Sequence, residues 1–386
     1  MRSTWISAGI AALGGMTLLP FLTGQMPGDR EIWEKDIRSN TPLFRFVVQG
    51  KAGYINAEGR VVIPPQFRVL GETGRDDFYE GIASAGFGGR FWVNEQGKEL
   101  DPLSDGAVRI GKAAEGMIRT YRKLNGSRLE GFVDFQGLRV IPEKFEETKE
   151  FSEGLAAVRV GGLWGYIDKT GSFAIAPRFL GAEPFSEGAA RVIVEGPCMG
   201  PWGGGCIIGR VVIRAPEGSS LRQAKYPGCR YSYIDKSGAP LFETTYASAD
   251  DFSEGLAAFR AVGGYGFIDK TGAIRIPPQF EQVRSFSDGL ARFSKGRNWG
   301  YIDHTGREVF PAQFEYAADF SEGAAVVGPR FGNVHFIDRS GRKLFDAEYT
   351  RASSFRLGLA HVCSGRDCAY IDRTGYAVFR YQSDRE

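Results

Sequence analysis

Histidine is scarce in this chain, 3 residues in 386, and His304, His335 and His361 stand apart without the spacing of a metal-ligand pair. Neither a metal site nor a cofactor is expected from them. Walker, HExxH, nucleophile-elbow and dinucleotide-binding sequences are missing too. Gly203-Gly204-Gly205 opens no helical pattern that would make it a phosphate cradle. No run of Lys or Arg exists: 48 basic residues are interspersed with 46 acidic ones, for a net charge of +2. The electrostatic footprint of nucleic-acid binding is therefore lacking. The five cysteines follow no zinc or redox spacing.

One long uncharged apolar stretch is present, from Trp5 to Leu22 behind Arg2. It is at the lower limit for crossing a bilayer, and three glycines and Pro20 weaken it as a permanent helix. Residues 1–25 are expected to be a cleaved export signal, the alternative being a membrane anchor, with 26–40 as a linker. Gln25 stands where a lipidated cysteine would have to be, so lipidation is not expected. The implied location is the periplasm, the cell surface or the medium. Contact with a membrane would come only through an uncleaved N-terminus.

What the sequence has in abundance is itself. An aromatic residue, an aliphatic one and Asp or Asn recur at Tyr54, Trp92, Phe132, Tyr166, Tyr233, Phe267, Tyr301, Phe336 and Tyr370, mostly 34 or 35 residues apart. Nine units follow, spanning about 41–381 with a tail at 382–386, and the 67-residue step from Tyr166 to Tyr233 marks an insertion at about 195–229. In the fourth unit, alternation at Ala156, Val158 and Val160, a Gly161-Gly162 turn, and Trp164 to Ile167 read as a β-hairpin. Asp168-Lys169-Thr170-Gly171 is a turn into a third strand, which Pro177 is expected to end. The fold class is thus all-β, with tandem three-stranded meanders that must stack to bury their apolar faces. The array begins with a first strand and ends with a third, leaving no split unit to close a ring by strand exchange. An open or spiral solenoid-like array is expected, with a closed propeller-like ring as the alternative.

Phe-Ser-Glu-Gly or a near variant recurs with Phe151, Phe185, Phe252, Phe286 and Phe320, which are assigned to the core between units. The glutamates at 153, 187, 254 and 322 read as turn-tightening residues because they recur with the repeat. Leu163-Trp164-Gly165-Tyr166-Ile167-Asp168 and Asn298-Trp299-Gly300-Tyr301-Ile302-Asp303 make the chain resemble the bacterial WG (KWG) repeat family, with Trp164 and Trp299 as repeat-core residues. The tryptophan position is Ala52, Tyr265 and Cys368 in the first, sixth and last units. The resemblance implies a repeat scaffold and brings no catalytic residues.

Two places stand outside the repeat logic. The insertion carries Trp202, Arg210, Arg214, Arg222 and Lys225, a local aromatic and basic cluster suited to a recognition loop. Cys363 and Cys368 flank a hairpin turn and are the best disulfide pair, while Cys198, Cys206 and Cys229 allow three pairings. The leading expectation is a non-enzymatic extracytoplasmic scaffold that binds a protein, a peptide or a cell-envelope glycan. The alternative is a polysaccharide hydrolase or lyase, with Glu153, Glu187 and Glu254 as its candidate carboxylates.

Overall fold

The computed structural model describes residues 42–68, 78–85, 91–103, 106–195 and 229–383. Among them every regular element is a strand, and the strands form nine separate antiparallel sheets, one per sequence unit. The units lie at 44–68, 82–94, 108–145, 147–179, 181–234, 256–280, 282–314, 316–338 and 351–382 and are called units 1 to 9. The meander is the common theme. Units 3, 4, 7 and 9 add a strand before the hairpin, units 5 and 8 have that strand in place of the third, and unit 2 keeps only the hairpin pair.

The Trp-Gly signature has a geometric cause. In unit 4, Tyr166 pairs with Ile175 and Trp164 with Phe179, so the third strand carries surplus residues opposite Gly165 and bulges around Pro177. A side chain at Gly165 would stand 2.5 Å from the Ile175 carbonyl oxygen and 2.7 Å from the Pro177 nitrogen. Only glycine fits beneath that arch. Gly53, Gly131, Gly266 and Gly300 are confined in the same way. Where the sequence has Ser232, His335 or Ala369 instead, the bulged proline strand is missing as well. The expectation that proline ends the third strand is therefore corrected: Phe173–Phe179 and Ile274–Phe280 run through their prolines. Each is an outer strand, where a missing N–H leaves no ladder bond broken.

The Asp-Lys-Thr-Gly turn closes on its first residue. Asp168 Oδ1 accepts from the backbone N–H groups of Thr170 and Ser172 and from the Thr170 hydroxyl, and Gly171 takes φ 82°.

Among the described residues nine buried clusters lie between units, one at each junction. Phe78, Phe151, Phe185, Phe252, Phe286, Phe320 and Phe355 each pack on the aromatic anchor of the preceding unit at centroid distances of 4.7 to 5.0 Å. Trp164 is buried at its junction, and Trp299 packs partly buried at another. The ninth cluster joins the two ends: Phe44, Phe46 and Ile55 of unit 1 pack with Leu359, Tyr370, Phe379 and Tyr381 of unit 9. The Tyr370 hydroxyl donates to the Arg45 carbonyl.

The array accordingly returns on itself as a nine-unit ring, and the expected open or spiral array gives way to its closed alternative. The absence of a split unit is real, since each sheet draws its strands from one stretch of chain. Closure does not need one, because every junction is held by side-chain packing rather than by a shared strand.

Candidate functional site

The repeated acidic residues are the first chemistry to place. Glu80, Glu115, Glu153, Glu187, Glu254, Asp288 and Glu322 all adopt left-handed backbone, with φ between 52° and 57°. Each carboxylate reaches into the next unit and accepts the backbone N–H of its turn glycine, as from Glu153 to Gly188 at 3.1 Å and from Glu322 to Gly358 at 2.9 Å. A basic side chain from that next unit joins several of them: Lys236 sits 3.2 Å from Glu153, Lys270 3.2 Å from Glu187, and His304 3.1 Å from Glu254. Burial opposes the charge on Glu187, but the Gly255 N–H and Lys270 outweigh it and hold its carboxyl below the usual range. These acids form a belt of inter-unit caps. His304 also stacks on Phe286 at 4.3 Å.

A second regularity has a period of two units. Opposite the aromatic anchor stand Arg119, Arg191 and Arg292 in units 3, 5 and 7, but Ala157, Ala258 and Val326 in units 4, 6 and 8. Each arginine reaches the acid just before the phenylalanine of the following unit: Glu150 at 3.1 Å, Asp251 at 2.9 Å and Asp319 at 2.6 Å. Unit 1 also carries an arginine here, Arg45. An odd number of units cannot alternate all the way round, so at the seam two odd-numbered units meet. Unit 9 departs from the pattern there by placing His361 in the arginine position. Burial, assisted by nearby Arg351, pushes its imidazole down to a pKa of about 4, so it is neutral near pH 7 and demands no acidic partner.

Unit 9 departs from the repeat at further positions, all beside the seam. Its capping turn is Phe355-Arg356-Leu357-Gly358, with arginine for the usual serine and leucine for the acid. Ser321 donates to the Phe355 carbonyl of its neighbour, whereas Arg356 reaches past unit 1 to the Phe78 carbonyl in unit 2 and lies over the Tyr79 ring. Leu357 keeps the left-handed φ of 53° but has no carboxylate to cap a glycine, and the residue is 53% exposed. A cavity of about 250 Å³ opens there, lined by Phe44, Arg45, Arg356, Leu357, His361 and Tyr381, among others. Two backbone bonds between Arg356 and Leu359 close the turn as in the other units, so what unit 9 gives up beside the cavity is the inter-unit cap alone, and a left-handed non-glycine residue in such a place is a feature of functional sites.

Cys363 and Cys368 pair across the hairpin as a disulfide and occupy the positions held by Arg159 and Trp164 in unit 4. Cys229 is also disulfide-bonded. Trp202, Arg210, Arg214, Arg222 and Lys225 lie outside the described residues, as do Cys198, Cys206 and the apolar stretch 5–22. The strands flanking the insertion pair up to Glu195 and Arg230. The special character of Arg356, Leu357 and His361 escaped the sequence reading, although superposing the nine units would have exposed all three as departures from the repeat.

The family model for the WG containing repeat matches residues 53–98, 131–164, 164–196, 231–264, 265–299 and 299–328, more than half of the chain. The chain belongs to the WG-repeat family. No curated protein matches this WG-repeat chain by sequence. Among solved structures, a eukaryotic initiation factor superimposes with a TM-score of 0.58 at 13% identity, over 89% of this chain and 97% of its own. At that identity the likeness concerns the fold alone. AztD from Citrobacter koseri covers 77% of this chain and 92% of its own at 12% identity, and BamB from Moraxella catarrhalis 72% and 87% at 12%. Their TM-scores of 0.38 and 0.36 are too low to bear on this WG-repeat ring.

Proposed function

We infer that this WG-repeat protein is a non-enzymatic binding scaffold working outside the reducing cytoplasm, and that the seam between units 9 and 1 is a recognition site for a protein, a peptide or a cell-envelope glycan. A ring of β-repeats offers a broad rigid surface, and binding is the general role such a scaffold supports. The observation that carries the finer reading is the Arg356-Leu357 turn. Units 2 to 8 place an acid there to cap their neighbour, and among the described turns of this kind unit 9 gives up that cap while lining a cavity with an exposed leucine and an arginine. Apolar surface next to a planar cation, with tyrosine hydroxyls close by, is the chemistry of a specific contact rather than of turnover. The carboxylates that a hydrolase would need are engaged in inter-unit caps and cation pairs.

The purified full chain is to be screened against peptide and envelope-glycan arrays, with product analysis of every binder. Leu357→Glu restores the repeat residue and should lower the affinity of a seam ligand at least tenfold without altering the β-sheet signal. Binding unchanged by both Leu357→Glu and Arg356→Ala would remove the seam from consideration. Product formation abolished by a single carboxylate substitution would overturn the scaffold reading.

A further inference from the structure

The seam disulfide does not stand alone. His361 lies on the same strand two residues before Cys363, so both side chains project from one face of the sheet, and Cys368 faces Cys363 from the neighbouring strand. The ligand atoms of the three residues lie within 4.8 Å of one another. His361 Nε2 is 3.7 Å from Cys363 Sγ, and the Tyr381 phenolic oxygen is 2.7 Å from the same nitrogen. In a tetrahedral zinc site, bond lengths of about 2.3 Å to sulfur and about 2.0 Å to nitrogen put such a pair of ligand atoms roughly 3.6 Å apart. The imidazole is therefore already at ligand distance from one sulfur.

From this geometry we propose that His361, Cys363 and Cys368 form a redox-gated site for a soft divalent metal, Zn(II) in the first instance, with Tyr381 or a water as the fourth ligand. In the oxidised chain the two sulfurs are bonded to each other and offer no thiolate. Reduction breaks the S–S bond: each sulfur gains one electron and one proton, and a dithiol reductant supplies both and leaves as its own disulfide. Metal binding then displaces the two thiol protons into solvent. Two thiolates and a neutral imidazole around a divalent cation give a complex with no net charge. That suits cysteines only 1% and 3% exposed, among the aromatic side chains of units 1 and 9. The chain thus has two exclusive ways to fasten its last hairpin at the point where the ring closes: a disulfide when oxidised and a metal when reduced.

The test uses the full chain with Cys198, Cys206 and Cys229 replaced by serine, so that the only sulfurs able to respond are the seam pair. It is reduced with a phosphine, which ends as its oxide with oxygen taken from water, and is titrated with Co(II). One equivalent should bind with a thiolate-to-cobalt charge-transfer band that Zn(II) abolishes, and the oxidised protein should bind none. His361→Ala should raise the Kd at least about tenfold. If that variant fails to fold, alkylation of the unaltered triad decides, because Zn(II) should shield both thiols from modification in the reduced protein. Any of three outcomes overturns the proposal: no charge-transfer band on reduction, equal binding by the oxidised form, or thiols alkylated at the same rate with and without Zn(II).

Discussion

The hydroxyl of Tyr370 donates to the backbone carbonyl of Arg45, 325 residues earlier in the sequence, and so ties the last unit to the first. Tyr166, Tyr233 and Tyr301 make an equivalent bond to a carbonyl 17 residues onward, in the unit that follows. The ring therefore closes with the same kind of bond that joins its consecutive units. Burial pushes the hydroxyls of Tyr166, Tyr233 and Tyr301 far up in pKa, so they remain donors across the working pH range. Replacing Tyr370 by Phe removes the bond and leaves a carbonyl to find water. The expected loss is about 1 kcal/mol, read as a lower midpoint in denaturant. An unchanged midpoint would mean that the closing bond adds nothing to stability.

Phe286 is 1% exposed and packs 4.8 Å from Phe267 across a junction. Phe286→Ala should destabilise by about 3–5 kcal/mol, since the ring's transfer energy is lost and a cavity remains. Chemical denaturation measures it, and an effect below about 1 kcal/mol would show that the junction can collapse to fill the space.

His361 should make stability depend on pH. Its folded pKa of about 4 lies below the ordinary 6.5, so the unfolded chain takes up a proton that the folded chain refuses. Stability is then intact above about pH 6.5, declines as the pH falls towards about 4, and levels off below that with respect to this group. His361→Gln should flatten the curve in that window. At lower pH a separate loss is expected from the turn aspartates: the Thr271 hydroxyl bond and Arg275, against some desolvation, hold Asp269 at about 2, so its contribution disappears as the pH falls from 3.8 towards 2. Parallel curves for the two proteins between pH 4 and 6.5 would refute the assignment to His361.

The Cys363–Cys368 bond closes a short loop, with a sequence separation of 5. Chain-entropy arguments limit its contribution to about 2 kcal/mol. Alkylation and mass spectrometry of the native protein should find both sulfurs blocked until a reductant is added, after which the ring should persist with a modestly lower midpoint.

Removal of 196–226 should leave the ring folded, because the strands on either side already pair up to Glu195 and Arg230. Loop length changes closure entropy only slowly. Circular dichroism reads the fold, and an array screen of truncated and full-length protein tells whether Trp202 and the four basic residues add to recognition. Loss of the β-sheet signal would place the insertion in the core.

Everything periodic was legible from the sequence alone. The nine units, their hairpins, the Asp-x-Thr/Ser-Gly turns and the buried phenylalanines all follow from local spacing, because turn chemistry and side-chain alternation act over a few residues. The fate of the prolines was not, since a bulge is defined by the strand opposite, and Pro177 becomes intelligible only when Gly165 lies beneath it. Ring closure was also beyond reach of the sequence: the small rotation between neighbouring units must accumulate over nine junctions before Phe46 meets Phe379. The seam site depends on that closure. Arg356, Leu357, His361 and the cysteine pair are odd letters in the last repeat, and they acquire a shared surroundings only because tertiary packing brings the first unit against them.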